Sequence, residues 1–401
     1  MMLALLLVAQ TAAGLSVTPS EGGGEVLRLP LAGPPWAEAR LVLSTPPDPL
    51  GKAGLGAVAA HLLQSHLQTA PNLGPTASVR RTRQGLIVAL AGPEPRLEAL
   101  AHNALSRLAA LRPTDADLSA AIRSALRDRL TVLRDPVALA RMEAQRVLLG
   151  APATLGEVPD ILSVSAAEAQ LFIAATLKRE RLGIVLSGAQ ASLQPGTWAQ
   201  LLPASTATVS RALSKGPTEP TGLQIIVIDR PDLSQAHLHF AWRPRDVPTE
   251  AAASIAATLL GPSARWTPHM FEFTRSATVG QEARSLAGIF DEVRSVSQRS
   301  PEPHWAGAVA TATRAVSLSF KDASSAATAL AEDLLDPART LRPVLRDRIA
   351  DLGAQPQPVT GMMQPHQAVV VLVTALGPDL VRQLADLRPD AAVHVYTWDQ
   401  R

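Results

Sequence analysis

The stretch from Val26 to Leu63, VLRLPLAGPPWAEARLVLSTPPDPLGKAGLGAVAAHLL, returns 197 residues later, from Leu223 to Leu260, as LQIIVIDRPDLSQAHLHFAWRPRDVPTEAAASIAATLL. In the first copy Val26 to Leu31 and Arg40 to Leu43 read as short strands, separated by the turn Gly33-Pro34-Pro35. Leu55, Val58, Ala59, Leu62 and Leu63 then recur at helical spacing and give one apolar stripe. Without a gap, the offset lays Pro34 on Pro231, Ala39-Arg-Leu41 on Ala236-His-Leu238, and Val58-Ala-Ala-His-Leu-Leu63 on Ile255-Ala-Ala-Thr-Leu-Leu260. In a chain rich in Ala and Leu a few identities come cheaply. The ungapped order of strand, loop, strand and helix is what predicts a duplicated α+β domain.

Working outward, helical patterns run from Pro95 to Leu111 and from Asp115 to Leu149, the second broken at Asp135-Pro136. Ser165-Ala-Ala-Glu168 is a capping box that opens another helix. A hydrophobic strand closes the first half at Leu182 to Leu186. Strands are predicted at Ala368 to Val373 and Ala391 to Tyr396 in the second. The Pro- and Gly-rich segment 214–222 is the linker, which predicts domains over 22–213 and 223–401.

The 401 residues suit two or three domains at roughly 150 residues each. A net charge of +2 and 3 % aromatic residues give no footing for nucleic acid. The absence of cysteine removes disulfides, thiolate nucleophiles, iron–sulfur clusters and thiolate zinc sites. Met1 to Ala9 is an unbroken apolar run followed by Gln10-Thr-Ala-Ala-Gly14, so 1–14 reads as a signal peptide. Its n-region lacks Lys and Arg. It implies a periplasmic or secreted chain, with a buried N-terminal strand and a cytoplasmic location as the alternative. No later stretch reaches 18 uninterrupted apolar residues.

Asp48-Pro-Leu-Gly-Lys-Ala-Gly-Leu55 leading into Val58-Ala-Ala-His-Leu-Leu63 resembles the pitrilysin/insulinase family of zinc metallopeptidases, which includes the mitochondrial processing peptidase subunits. Asp135-Pro136, Gly150-Ala-Pro152, Leu155-Gly156, Ile225-Ile-Val-Ile-Asp-Arg-Pro231 and Ser234-Gln-Ala236 continue the likeness in the family's order. The resemblance implies two homologous domains of the LuxS/mitochondrial-processing-peptidase-like metallohydrolase type, each a mixed β-sheet packed by helices.

Active members carry His-x-x-Glu-His on the first helix. Histidines at i and i+4 share one face and one zinc ion, and the glutamate is the general base on the metal-bound water. This chain reads His61-Leu-Leu-Gln64-Ser65-His66. His61 matches the first ligand, Gln64 replaces the base and Ser65 replaces the second ligand. Five residues turn a helix through about 500°, which leaves His61 and His66 about 140° apart. A neutral glutamine cannot accept the proton from water. By resemblance the third ligand falls near Leu126-Arg-Asp128, where Asp128 is either a shorter ligand or a solvated charge between Arg127 and Arg129.

Some heterodimeric relatives supply an Arg and a Tyr from the second half of the non-zinc subunit. Those positions fall here on Glu272 and Val279, with Arg275 retained. The single tyrosine, Tyr396, lies on the last predicted strand, so no phenol is spare. His237 and His239 share one strand face and read as a polar sheet face or a metal pair.

The resemblance thus implies a catalytically inactive homologue without cofactor. It would be a structural or peptide-binding subunit paired with a zinc-bearing relative or a second copy, or a purely architectural core-type subunit. The alternative is an active zinc endopeptidase using His61, His66 and Asp128.

Overall fold

The computed structural model describes residues 14–20, 24–49, 51–70, 73, 77–149, 155–189, 192–204, 222–243, 250–267, 270–298, 302–336, 340–352 and 368–398. The expected signal peptide, except Gly14, and residues 214–221 of the expected linker lie outside them. In the first half the elements are β1 Ser16–Pro19, β2 Glu25–Pro30, β3 Trp36–Ser44, α1 Leu55–Gln68, β4 Ala77–Arg81, β5 Gly85–Pro93, α2 Glu94–Ala110, α3 Asp115–Arg134, α4 Pro136–Leu149, α5 Val158–Leu162, α6 Ala166–Thr176 and β6 Leu182–Gly188. The second half continues with β7 Gln224–Asp229, β8 Gln235–Trp242, α7 Glu250–Leu259, β9 Arg265–Thr267, β10 Met270–Thr278, α8 Glu282–Gln298 and α9 Glu302–Leu318. It ends with α10 Ala323–Leu335, α11 Arg342–Leu352, β11 Ala368–Thr374, α12 Leu380–Leu387 and β12 Ala392–Thr397.

These elements form two compact units, each built on a six-stranded mixed sheet. The strand orders are β1-β2-β6-β3-β5-β4 and β12-β7-β11-β8-β10-β9. Apart from the outermost β1 and β12, the second order is the first repeated, as the expected duplicated α+β domain requires. β1 lies antiparallel to β2, whereas β12 lies parallel to β7.

The units are not the two continuous halves of the sequence. Arg129–Ala153 belongs with the second unit, and Ala315–Val344 with the first. The reason is burial on both sheet faces. In the first unit Ala37, Ala39, Leu41 and Leu43 of β3 face the apolar stripes of α1 and α2. Leu27, Leu29, Val42, Ile87 and Val185 point to the other face, as strand alternation requires. That second face is covered by Ala326, Ala327, Leu330, Ala331 and Leu335 of α10.

In the second unit Leu238, Phe240, Trp242, Phe271 and Phe273 form one buried layer with α7 and α8. Phe240 stacks on Phe273 at 5.3 Å between ring centroids, and Trp242 on Phe271 at 5.1 Å. The opposite face, with Ile226, Ile228, Val369, Val371 and Val373, is covered by Leu139, Ala140, Ala144 and Leu148 of α4. The expected break at Asp135-Pro136 separates α3 from α4. Pro136 cannot donate a helical hydrogen bond, and Asp135 Oδ1 accepts the next two N–H groups, Val137 at 2.9 Å and Ala138 at 3.2 Å.

Candidate functional site

The motif residues of the first half gather around α1. Its start is fixed by Asp48, whose Oδ2 accepts the Gly54 N–H at 2.8 Å and whose Oδ1 accepts the Gly56 N–H at 3.0 Å. The same carboxylate faces Arg81, which also donates to Thr45 Oγ1 at 2.7 Å. Burial lowers the Arg81 pKa, against the opposing pull of Asp48. Gly54 at φ +101° and Gly156 at φ +79° press their backbones together: a Cβ on Gly156 would stand 2.4 Å from Gly54 Cα. This contact explains why both glycines stand in the matched motifs. Lys52 reaches Ser163 O at 2.7 Å and Glu168 at 3.0 Å. Hydrogen bonds from the Ser165 hydroxyl and N–H, then from Lys52, hold the Glu168 carboxyl down to about 2.

Along α1 the candidate ligands diverge. His61 Nε2 lies 2.9 Å from Asp128 Oδ2, with side chains 26 % and 53 % exposed, so two of the three candidates meet at the surface. His66 turns to α2 and donates from Nε2 to the Arg107 carbonyl at 3.1 Å. Ser65 is exposed. Gln64 turns to β4, donating from Nε2 to Ala77 O at 3.3 Å and accepting the Val79 N–H on Oε1.

The residues present do not fit a catalytic zinc ion. Such a site needs three protein ligands and a base. Here two candidates pair, the third is engaged by a main-chain carbonyl on another helix, and the base position holds an amide. Among the described residues no three His, Cys, Asp or Glu side chains are arranged to hold a metal.

In the second unit Glu272 is 1 % exposed and faces Arg265, Arg141 at 3.4 Å and His239 at 3.4 Å. Burial pushes the Glu272 carboxyl up, but the facing imidazole and arginines outweigh it and the pKa ends below its ordinary value. Burial lowers His239, whose Nδ1 lies 3.0 Å from Thr274 Oγ1. Sequence reading set His237 and His239 on one strand face but did not place Glu272 beside them; cross-strand neighbours have no local signature. Val279 lies in the turn after β10. Arg275 bonds Ser263 Oγ at 2.6 Å, Leu260 O at 2.9 Å and Glu292 at 3.0 Å.

No protein-family model and no curated protein sequence matches the chain. Solved structures match over nearly its whole length. A peptidase M16 inactive domain from Pseudomonas fluorescens is 17 % identical, with 91 % of this chain and 98 % of that one covered at a TM-score of 0.70. A chain of complex III2 from Candida albicans is 14 % identical, with 94 % and 100 % covered at 0.70. The periplasmic protease PqqL from Escherichia coli is 13 % identical, with 95 % of this chain covered but 51 % of PqqL, at 0.70; this chain spans about half of that protein. The fold is therefore that of the M16-like peptidases, as the pitrilysin resemblance implies.

Proposed function

We propose that the chain is a non-catalytic subunit on the pitrilysin-like peptidase fold, which binds peptide or completes a peptide chamber beside a zinc-bearing relative. The observation that carries this reading is the state of the motif positions on α1. Gln64 offers no base, Ser65 no imidazole, and His66 is spent on the Arg107 carbonyl. The likeness to a structure described as an inactive peptidase domain supports it. The likeness to a chain of complex III2 supports an architectural role in an assembly. The apolar run at Met1 to Ala9 supports export, as does the likeness to periplasmic PqqL.

A second reading, an atypical zinc endopeptidase, draws on the 2.9 Å approach of His61 and Asp128. One experiment separates them: zinc content of the purified chain, with peptide cleavage assayed alone and after mixing with zinc-bearing relatives from the same organism. Cleavage only in a mixture, with no zinc retained by this chain, supports the subunit reading. Stoichiometric zinc that disappears in His61→Ala overturns it.

A further inference from the structure

β12 is the outermost strand on one side of the second sheet, six residues long against three for β9 on the other side. Its pairing with β7 fixes which main-chain groups look outward. The Ala392 N–H donates to Leu223 O at 3.1 Å, in a parallel register that sets Ala392 beside Gln224. Ala392, His394 and Tyr396 therefore turn their N–H and C=O toward β7, and Val393, Val395 and Thr397 turn theirs away. Among the described residues nothing bonds the outward main chain of Val393 or Val395. Such an edge is ordinarily guarded by a lysine, a proline, a bulge or a covering element. β12 reads Ala-Val-His-Val-Tyr-Thr, and its ladder with β7 runs unbroken. Val395 is 41 % exposed, and Trp398, just past the strand, 39 %.

The strand also complements its own copy. Val393 packs with the α7 and α8 layer and Tyr396 with the α4 layer, so odd and even positions lie on opposite faces. A second β12 laid antiparallel, with the two-fold axis through Val395, pairs Val395 with itself and Val393 with Thr397. On the other face it sets Tyr396 across from His394 and Trp398 across from Ala392. Each large ring thus meets an imidazole or a methyl, every pairing occurs twice, and no two charges oppose one another. Moving the axis to His394 sets one imidazole against the other and Trp398 against Asp390; moving it to Tyr396 leaves Ala392 and Val393 opposite no strand residue. A foreign extended chain would find the hydrogen bonds but not these side-chain pairs, so the occupant is a second copy.

We propose that two copies of the chain join edge to edge through β12, antiparallel about Val395, so that six strands from each form one continuous sheet. The inference uses the second unit only, so it stands or falls separately from the zinc content and cleavage tests.

The chain has no cysteine, so one introduced thiol reports one position. The full chain is compared as wild type, Val395→Cys, Val393→Cys, a mixture of Val393→Cys with Thr397→Cys, and Val395→Pro. Proline is tolerated at an edge position whose N–H faces outward. In the proposed register directly opposed outward residues stand about 5.5 Å apart between Cα atoms, within disulfide reach, whereas two Val393 positions stand about 13 Å apart, outside it. Expected is a concentration-dependent wild-type dimer in sedimentation equilibrium, weakened at least about tenfold by Val395→Pro, as loss of two hydrogen bonds allows. Under mild oxidation Val395→Cys forms a covalent dimer, Val393→Cys by itself does not, and its mixture with Thr397→Cys does. A wild type that stays monomeric overturns the proposal, as does a dimer indifferent to Val395→Pro, or a disulfide that forms between two Val393→Cys chains as readily as between two Val395→Cys chains. Should Val395→Pro lose its native circular dichroism, the thiol variants decide.

Discussion

The two units lay five strands in the same order and then place their polar side chains differently. In the first, the helix in front of the sheet is the polar one: α1 carries Gln64, His61 and His66, and its start is tied to Asp48 and Arg81. In the second, α7 is Glu-Ala-Ala-Ala-Ser-Ile-Ala-Ala-Thr-Leu and ends at Leu259, so the position 197 residues after Gln64 is Gly261, already past the helix. Behind the sheets the contrast reverses in character. Arg40 of the first unit is answered by Glu38 at 2.9 Å and the Ser324 and Thr328 hydroxyls. The second unit buries Glu272 against two arginines and an imidazole. A duplicated scaffold keeps its strand order because both sheet faces are buried, and leaves the polar positions free to diverge.

The contrast can be broken most forcefully at Glu272. Glu272→Ala removes the anion that Arg265, Arg141 and His239 face, and should cost the second unit about 2–3 kcal/mol, read from denaturant unfolding by tryptophan fluorescence. A loss below about 1 kcal/mol would mean that the partly exposed arginines simply turn to water. The next effect is a pH dependence. His239 titrates lower folded than unfolded, so as pH falls below about 6.5 the unfolded chain takes up the proton first and stability is lost. His239 should contribute at most about 1.4 kcal/mol per pH unit, the part that His239→Gln removes, while His237, also lowered by burial, keeps its own share. Glu272 adds its own loss only at lower pH, below the ordinary glutamate range. Were the slope unchanged in His239→Gln, another group would own it. The smallest effect belongs to the candidate ligands: His61→Ala, breaking an exposed pair, should shift stability by no more than about 0.5 kcal/mol.

What the sequence disclosed follows from where the physics is local. The repeat was legible because β2, β3 and α1 must keep apolar side chains where β7, β8 and α7 keep theirs. The capping box at Ser165 and Glu168 and the break at Asp135-Pro136 are complete within four residues, and both stand in the structure. The divergence of His61 and His66 follows from helical geometry alone. Three things were not legible. Ala77-Ser-Val-Arg-Arg81 is short and polar, so β4 has no strong strand signal, and the partners of Gln64 there are main-chain atoms that no side chain announces. The pairing of His239 with Glu272 depends on which strands become neighbours. The crossing of α4 and α10 depends on which sheet face each helix covers, and an apolar stripe does not name its sheet.

That crossing bears on how the protein is made. While the chain is being synthesised, Leu27, Leu29, Val42, Ile87 and Val185 have no cover until Leu335 has emerged, because α10 supplies it. The first sheet therefore waits for more than a hundred further residues after its own last strand, β6, ends at Gly188. Cutting the gene between the halves would leave the earlier product with one greasy sheet face and the later one without α4. Neither half of the gene therefore encodes a complete unit.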